Sequence, residues 1–277
     1  MMLKIAAIQM QSGRDPASNV AFVREAVKAA AAGGAAYIQT PEMTGMLVRE
    51  RAEMLAKVKS QADDGLVAAA SELAKAHAVY LHIGSTAILR DDGKIANRAF
   101  LFGPDGGLIT TYDKIHMFDV DLDRGESWRE SATYEPGTKA VVANLPFGKL
   151  GFGVCYDVRF PQLFREEALA GAQILTAPAA FTRQTGEAHW HALQRSRAIE
   201  NGAFMISAAQ AGVHEDGRET FGHSMIVNPW GTVLAVANGS EPETIFAEID
   251  LANVAAARAK IPNLKNARAF SVEMAGV

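Results

Sequence analysis

Hydrophobic and polar positions near the N-terminus alternate between strand-like and helical spacing. Residues Leu3–Met10 are almost all apolar, which is typical of a strand that is buried on both faces. Pro16–Ala32 has its valines at helical spacing, and Gly33-Gly34 supplies a stop signal. Ala35–Gln39 is again apolar and strand-like. The pattern therefore predicts a β-α-β unit over residues 3–39.

Strand-like segments joined by turns follow in the middle of the chain. Asp63 and Asp64 are typical caps for a helix that runs to about Ala76. With a strand on each side of this helix, residues 36–84 are predicted to form a second β-α-β unit. Turns at residues 91–94 and 103–107 separate three predicted strands, Tyr80–Leu89, Ala96–Phe102 and Leu108–Tyr112. Residues 113–139 are irregular and rich in charge. So long a connection inside a compact domain is usually functional.

The second half of the chain again predicts a hairpin and a β-α-β unit. A hairpin is predicted from Ala140–Leu145 and Lys149–Val154, followed by a helix from Pro161 and the strand Gln173–Pro178. The remaining predicted elements are the helix His189–Asn201, the strands Ala203–Ala208, Ser224–Asn228, Thr232–Ala237 and Thr244–Asp250, and the helix Asn253–Lys260. No linker rich in Pro, Gly or Ser divides the chain. We therefore expect one layered α/β domain over residues 1–277.

Composition narrows the class of protein. The 277 residues include 49% apolar and 21% charged side chains, as in ordinary globular proteins, and the net charge is −4. That charge argues against nucleic acid or an anionic membrane as a partner, and no apolar run approaches the length of about 20 residues needed to span a bilayer. A single cysteine and an N-terminus without a signal-peptide pattern lead us to expect a cytoplasmic protein.

The single cysteine, Cys155, lies where a predicted strand ends before the helix at Pro161. Functional groups of α/β folds collect at the carboxyl ends of strands, and a thiol near a helix N-terminus is expected to favour the thiolate form. The alternative is that Cys155 is simply a small buried hydrophobic residue. The residue alone does not decide between them.

Two further polar residues, Glu42 and Lys114, also follow predicted strands. A thiol nucleophile needs a base for its proton and a cation or hydrogen-bond donors for the oxyanion, and a carboxylate and an ammonium supply both. Taken singly, Glu42 is better interpreted as an exposed loop carboxylate and Lys114 as a solvated surface charge. A papain-like pair would instead use a histidine base, for which the candidates are His116, His189, His191 and His223.

Three sequence blocks resemble the catalytic blocks of the nitrilase, or carbon–nitrogen hydrolase, superfamily. They are Thr40-Pro-Glu-Met43, Tyr112-Asp-Lys-Ile-His-Met-Phe-Asp119 and Gly153-Val-Cys-Tyr-Asp-Val-Arg-Phe-Pro161, in the family's order and spacing. The resemblance runs over nearly the whole chain. It implies a four-layer α-β-β-α sandwich, and an enzyme that needs no metal and no organic cofactor.

Carried over by position, the resemblance gives each residue a role. Glu42 would be the general base, Lys114 the stabiliser of the oxyanion and Cys155 the nucleophile, with the backbone N–H of Tyr156 sharing the oxyanion. Many members of the family have a second glutamate after the lysine. Glu130, which precedes Ser131, fits this position best, although Glu126 also precedes a serine.

Further blocks in the second half resemble the Nit branch, which includes amidases of deaminated glutathione and of 2-oxo-acid amides. The blocks are Ala180–Trp190, Arg195–Asn201, Ala208–Gln210 and Gly222–Gly231. They imply a small-molecule amide substrate contacted by Phe181, Thr182, Arg183 and the loop near Lys114, and they favour the deaminated-glutathione side of the branch. N-carbamoyl compounds, nitriles and a non-catalytic binding role are the alternatives.

The resemblance also implies self-association. Members of the family tend to form dimers by packing their outer helices together, and here those would be the helix after Cys155 and the helix His189–Asn201. The expected partners are therefore a small amide substrate and a second copy of the chain, as a homodimer or a higher homo-oligomer.

Overall fold

A computed structural model of the protein describes residues 2–123 and 126–276. Its helices are α1 (Pro16–Ala32), α2 (Arg51–Lys57), α3 (Gly65–His77), α4 (Pro161–Leu169), α5 (Arg183–Asn201) and α6 (Ala252–Lys260). Its strands in the first half are β1 (Met2–Gln9), β2 (Tyr37–Gln39), β3 (Lys59–Ser60), β4 (Tyr80–Leu89), β5 (Ile95–Phe102), β6 (Leu108–Asp113), β7 (Asp119–Asp121) and β8 (Ser127–Arg129). Those in the second half are β9 (Val142–Leu145), β10 (Gly148–Phe152), β11 (Ile174–Thr176), β12 (Phe204–Ser207), β13 (Ala211–Val213), β14 (Glu219–Phe221), β15 (Met225–Val227), β16 (Val233–Val236) and β17 (Glu243–Asp250).

Two mixed sheets form the centre of the molecule. The first has the order β17-β1-β2-β4-β5-β6, with the short β3 beside β4, and the second has the order β16-β15-β12-β11-β10-β9. Strands β1, β2 and β4 run parallel, as do β10, β11 and β12, whereas the hairpins β4-β5-β6 and β9-β10 are antiparallel. The predicted β-α-β units and hairpins are therefore confirmed.

Burial divides the sheets and helices into four layers. Val23 and Val27 of α1 pack with Leu73 of α3 onto one face of the first sheet. Residues from the other face of that sheet, such as Ile5 and Leu101, share a second core with the second sheet and with α4 and α5. The fold is thus the α-β-β-α sandwich that the sequence predicted, with the two sheets packed face to face and helices outside.

Local sequence explains where the helices of the first half begin. The side chains of Asp15 and Asp64 accept hydrogen bonds from backbone N–H groups in the first turns of α1 and α3. Each such cap is worth about 1 kcal/mol because it satisfies N–H groups that have no partner within the helix. Within the described residues, no helix is long and apolar enough to cross a membrane.

Helix α5 begins at Arg183, six residues before the predicted start at His189. The first part of the helix was not predicted because it contains Gly186, and glycine is a poor helix former. Its lack of a side chain is required by packing, since a Cβ there would lie 2.2 Å from the Cβ of Phe221 on β14. The hairpin β13-β14, which holds Phe221, was itself absent from the sequence prediction.

The long connection over residues 113–139 is more ordered than predicted. Strands β7 and β8 pair as a short antiparallel hairpin, and a single 3-10 turn follows at Glu130–Ala132. The sequence does not show these elements because each spans only three residues, too few for a periodic pattern. The hairpin and the 3-10 turn together bring Glu130 back toward the end of β6.

Candidate active site

A cavity of about 260 Å³ opens at one edge of the two sheets. Glu42, Lys114, Glu130 and Cys155 all line it. The first two follow β2 and β6 of the first sheet, whereas Cys155 follows β10 of the second. The structure thus brings together all four residues to which the sequence assigned catalytic roles. The volume suits a small molecule.

Cys155 occupies a strained turn immediately after β10. Its φ of +50° lies in the left-handed region, which costs a non-glycine residue on the order of 1 kcal/mol. Its N–H donates to the carbonyl of Pro178 at 2.9 Å, beyond the end of β11. The 3-10 turn Cys155–Arg159 follows and leads into α4 at Pro161. The anchored turn places the thiol in the lining of the cavity.

Asp157 fixes the shape of this turn. One of its carboxylate oxygens accepts from the N–H of Val154 at 2.9 Å and from the Tyr112 hydroxyl at 2.7 Å. The other accepts from the N–H of His116 at 3.0 Å and lies 2.6 Å from the imidazole Nδ1 of that residue. A buried carboxylate with so many partners is stabilised, and it couples the cysteine turn to the segment that carries Lys114.

The Glu42 carboxylate is buried beside Cys155 and is held by three donors. Its Oε1 accepts from Lys114 Nζ and from Asn97 Nδ2, each at 2.9 Å. Its Oε2 accepts from the N–H of Ala180 at 2.8 Å. Burial raises the pKa of Glu42, but the charge of Lys114 and hydrogen bonds from the Cys155 thiol, Lys114 and the Ala180 N–H outweigh burial and leave the pKa below its usual value. The carboxylate is therefore ionised and can serve as a base.

Lys114 lies between two carboxylates. Its Nζ donates to Glu42 at 2.9 Å and to the two oxygens of Glu130 at 2.9 and 2.7 Å. Burial lowers the pKa of Lys114, but Glu130 and Glu42 outweigh it and raise the pKa well above its usual value. Lys114 is thus a permanent cation within the cavity, as an oxyanion stabiliser must be.

Geometry distinguishes the two candidates for the second glutamate. Glu130 contacts Lys114, and it also accepts from the N–H of Phe118 at 2.7 Å. The Glu126 carboxylate instead accepts from the indole N–H of Trp128 at 2.8 Å. Glu130 therefore occupies the position beside the lysine, and its catalytic role stays a prediction.

Asn97 is a member of the site that the sequence analysis missed. Its buried amide nitrogen donates to Glu42 at 2.9 Å and to Glu130 at 3.1 Å, so that one side chain bridges the two carboxylates. Its amide oxygen has no hydrogen-bond partner among the described residues. The available signal was a polar residue within the mostly apolar segment Ile95–Phe102, which also holds Arg98, and only the neighbours of Asn97 in space make that signal meaningful.

The resting thiol differs from the sequence expectation. Burial and the negative charge of Glu42 raise the pKa of Cys155 well above its usual value, although Lys114 opposes the shift. The helix argument failed because only a five-residue 3-10 turn follows the cysteine, and because a carboxylate lies beside it. Cys155 therefore rests as a neutral thiol beside the Glu42 carboxylate.

The predicted substrate contacts divide into two groups. Tyr156, Phe181 and Thr182 line the cavity, and the Thr182 hydroxyl also caps α5 by accepting from the N–H of Thr185. Arg183 is not part of the lining. Its side chain is 64% exposed and pairs with Glu187 and Glu219 on the surface. A contact between Arg183 and substrate stays a prediction from the sequence.

Histidine is not available as the base in this geometry. Among residues 2–123 and 126–276, no histidine lines the cavity that contains Cys155. The His116 ring is stacked on Phe160 with 3.5 Å between centroids and is paired with Asp157. His191 and His223 lie beside each other and near Phe221. The carboxylate with direct access to the thiol is Glu42. This arrangement argues against the papain-like alternative, which needs a histidine base.

Comparison with known sequences places the chain among enzymes of known type. The family described as carbon-nitrogen hydrolase matches residues 4–259. A deaminated glutathione amidase of Yersinia enterocolitica is 37% identical over 273 residues, which cover 96% of this chain and 93% of that protein. A human omega-amidase, NIT2, is 36% identical over 275 residues, which cover 98% of both chains. The predicted family and branch are therefore confirmed.

Solved structures agree with this assignment. The NitFhit protein of C. elegans superposes with a TM-score of 0.88 at 32% identity over 96% of this chain, which spans 65% of that longer protein. A mutant amidase of Nesterenkonia sp. AN1, with acrylamide added to its active-site cysteine, superposes with a TM-score of 0.78 at 25% identity, covering 94% of this chain and 98% of the other. Both neighbours thus share the fold, and the Nesterenkonia amidase has an active-site cysteine that adds acrylamide.

Proposed function

Since the chain belongs to the carbon–nitrogen hydrolase family, we propose that it is an amidase that cleaves the terminal carboxamide of a small molecule with Cys155 as nucleophile. The observation that carries the proposal is the convergence of Glu42, Lys114 and Cys155 in one small cavity. A base, a cation and a thiol are the three groups that attack on a carboxamide requires.

The first half-reaction forms a thioester and releases ammonia. Glu42 takes the thiol proton as the sulfur bonds to the carboxamide carbon, and the carbonyl oxygen becomes an oxyanion. Lys114 and the N–H of Tyr156 stabilise that charge. Glu42 then returns the proton to the leaving nitrogen, the carbon–nitrogen bond breaks, and ammonia departs.

The second half-reaction restores the enzyme. Glu42 takes a proton from a water molecule as the water oxygen bonds to the thioester carbon. The carbon–sulfur bond then breaks, the sulfur regains a proton from Glu42, and a carboxylic acid leaves. Glu130 contributes by holding Lys114 in place with two hydrogen bonds. These steps require no metal or organic cofactor.

The substrate we propose is deaminated glutathione or a compound like it. Its scissile amide is N-substituted, so the leaving nitrogen departs as the amine of a cysteine peptide, where a primary carboxamide gives ammonia. The support is the similarity to deaminated glutathione amidases and the Thr-Gly-Glu-Ala-His-Trp sequence at the start of α5. The second candidate is a 2-oxo-acid amide, because the human NIT2 similarity is almost as high. One scaffold readily supports different substrates through its loops.

A screen for amide hydrolysis tests this proposal, with ammonia measured for the primary carboxamide, carbamoyl and nitrile substrates and the liberated peptide amine measured for deaminated glutathione. Purified protein is incubated with deaminated glutathione, 2-oxoglutaramate, an N-carbamoyl amino acid and a nitrile at equal concentrations. We expect the highest kcat/KM with an amide, and among the amides with deaminated glutathione, whose hydrolysis releases the cysteine peptide. Hydrolysis of only the nitrile or the N-carbamoyl compound would contradict the proposed reaction.

We also infer a cytoplasmic homodimer or higher homo-oligomer that associates through α4 and α5. The lone free thiol suits a reducing compartment. Leu169 on α4 and Ile199 on α5 are 53% and 49% exposed, which makes them suitable for an interface. Sedimentation equilibrium is expected to give at least twice the chain mass of 29.6 kDa. A monomer mass would contradict this inference.

A further inference from the structure

Arg218 is a cation in the lining of the active-site cavity that the proposed chemistry does not use. It lies between β13 and β14, its side chain is 16% exposed, and its guanidinium lies 4.4 Å from the centre of the Trp128 ring. Among the described residues its side chain donates no hydrogen bond, and its Nε is buried without a partner. The donors of a buried guanidinium normally have hydrogen-bond acceptors, and in the free protein those of Arg218 lack them.

The nearest carboxylate does not satisfy the hydrogen-bond donors of the Arg218 guanidinium. Asp216 uses Oδ1 to accept from the backbone N–H of Arg218 at 2.9 Å. Its Oδ2 lies 3.9 Å from Nη2 of Arg218, beyond hydrogen-bond distance, and has no other partner. Burial lowers the pKa of Arg218 from its usual value even though Asp216 opposes the shift. The guanidinium remains charged and has free capacity for an anion.

The charges of the other residues that line the cavity also favour the binding of an anion. Arg49 and Arg51 also line the cavity, and Arg49 lies 5.3 Å from the centre of the same Trp128 ring. Arg129, a further arginine of the lining, is already paired with Asp121. The carboxylates in the lining, Glu42 and Glu130, are already bonded to Lys114. The catalytic group is thus internally paired, while the part around Trp128 carries excess positive charge that an anion would neutralise.

We propose that Arg218 determines specificity by binding a carboxylate at the end of the substrate remote from the scissile amide. This inference rests on the proposed amidase activity. Arg218 and Cys155 line the same cavity, so one small molecule can contact both. Both candidate substrates of the proposed function carry a carboxylate, and the guanidinium fork of Arg218 matches the geometry of that group.

A matched pair of substrates tests the role of Arg218. Glutaramic acid has a carboxylate at the end remote from its amide, and pentanamide has a methyl group in its place. In Arg218→Gln, kcat/KM for glutaramic acid is expected to fall about 10- to 100-fold, as for a lost hydrogen bond to a charged group, while kcat/KM for pentanamide changes less than about threefold. Arg218→Lys is expected to recover part of the loss, because it keeps the charge but not the fork.

Two further variants control the experiment. Arg24→Gln removes an arginine that pairs with Glu72 on the surface, and it should leave both substrates unaffected. Arg183→Gln tests the competing arginine from the sequence analysis. An equal loss on both substrates in Arg218→Gln would show a structural role and overturn the inference. A selective loss of glutaramic acid hydrolysis in Arg183→Gln alone would overturn it as well.

Direct binding separates this inference from the amidase proposal. Glutarate, which resembles the product, is titrated calorimetrically into Cys155→Ala protein with and without Arg218→Gln. We expect weaker binding by about 10-fold or more when Arg218 is replaced. Equal affinities would overturn the inference even if amide hydrolysis is intact. Failure of the wild-type protein to hydrolyse any carboxamide would instead overturn the amidase proposal and leave the binding result to stand alone.

Discussion

Glu42→Gln is expected to make the Cys155 thiol more acidic and, at the same time, to reduce kcat/KM by about 10²- to 10⁴-fold. Burial and the charge of Glu42 raise the pKa of Cys155, so removing that charge lowers the pKa while Lys114 continues to favour the thiolate. Catalysis falls because the variant has no base to accept the thiol proton or to protonate the leaving nitrogen. Glutamine keeps much of the shape of the side chain.

Ultraviolet difference spectra measure the thiol directly, because the chain has a single cysteine. Absorbance near 240 nm is titrated with pH for the wild type and for Glu42→Gln, each against its Cys155→Ala counterpart so that tyrosine ionisation cancels. The exposed Glu25 on α1 provides the control variant, Glu25→Gln, which should change neither titration nor rate. A higher thiol pKa in Glu42→Gln, or wild-type turnover, would contradict the role of Glu42.

Lys114→Met is expected to lower kcat by about 10²- to 10³-fold and to destabilise the fold by about 3–5 kcal/mol. The first effect is the loss of the charge that holds the oxyanion. The second arises because the cation that Glu42 and Glu130 share is removed, and two carboxylates are left facing each other in a buried site. Few single substitutions in this chain would affect both properties so strongly.

The pH dependence of stability identifies the cause of this loss. In the wild type, burial raises the pKa of Glu42 but Lys114 and hydrogen bonds hold it below its unfolded value, so its stabilising contribution is lost as pH falls through the folded pKa. Without Lys114, burial raises the pKa of Glu42, and the variant should regain stability as pH falls from 7 to 5. Urea unfolding at several pH values measures both trends.

Lys94→Met is the matched control for this comparison. Its ammonium pairs with Glu135 on the surface, where the side chain is 53% exposed. Such pairs are worth at most about 1 kcal/mol, so this variant should unfold almost as the wild type does at every pH. A Lys114→Met protein with wild-type stability, or with stability that does not rise between pH 7 and pH 5, would contradict the buried triad.

Much of the fold and the centre of the site could be predicted from the sequence. Long segments such as Pro16–Ala32 and Tyr80–Leu89 carry their own periodicity and appear with the predicted bounds. Glu42, Lys114 and Cys155 were identifiable because each directly follows a strand and belongs to a recognisable block. Strand ends converge in folds of this kind, and the prediction that these residues meet follows from that general property.

Other features depend on contacts that no local pattern contains. Asn97 bridges Glu42 and Glu130 across 55 and 33 positions of the chain, and nothing near it in the sequence signals this. Arg218 enters the cavity through the short hairpin β13-β14, which was not predicted. The acidity of Cys155 was predicted in the wrong direction because the local helix argument omits a carboxylate that is distant in sequence.

The most direct test of the account is whether a covalent intermediate forms on Cys155. The enzyme is mixed with a carboxamide substrate, quenched in acid during turnover and analysed by peptide mass spectrometry. We predict that the peptide containing Cys155 gains the mass of the substrate less ammonia, and that Cys155→Ala releases no ammonia above background. An adduct on another residue, or ammonia release by Cys155→Ala at the wild-type rate, would contradict the account.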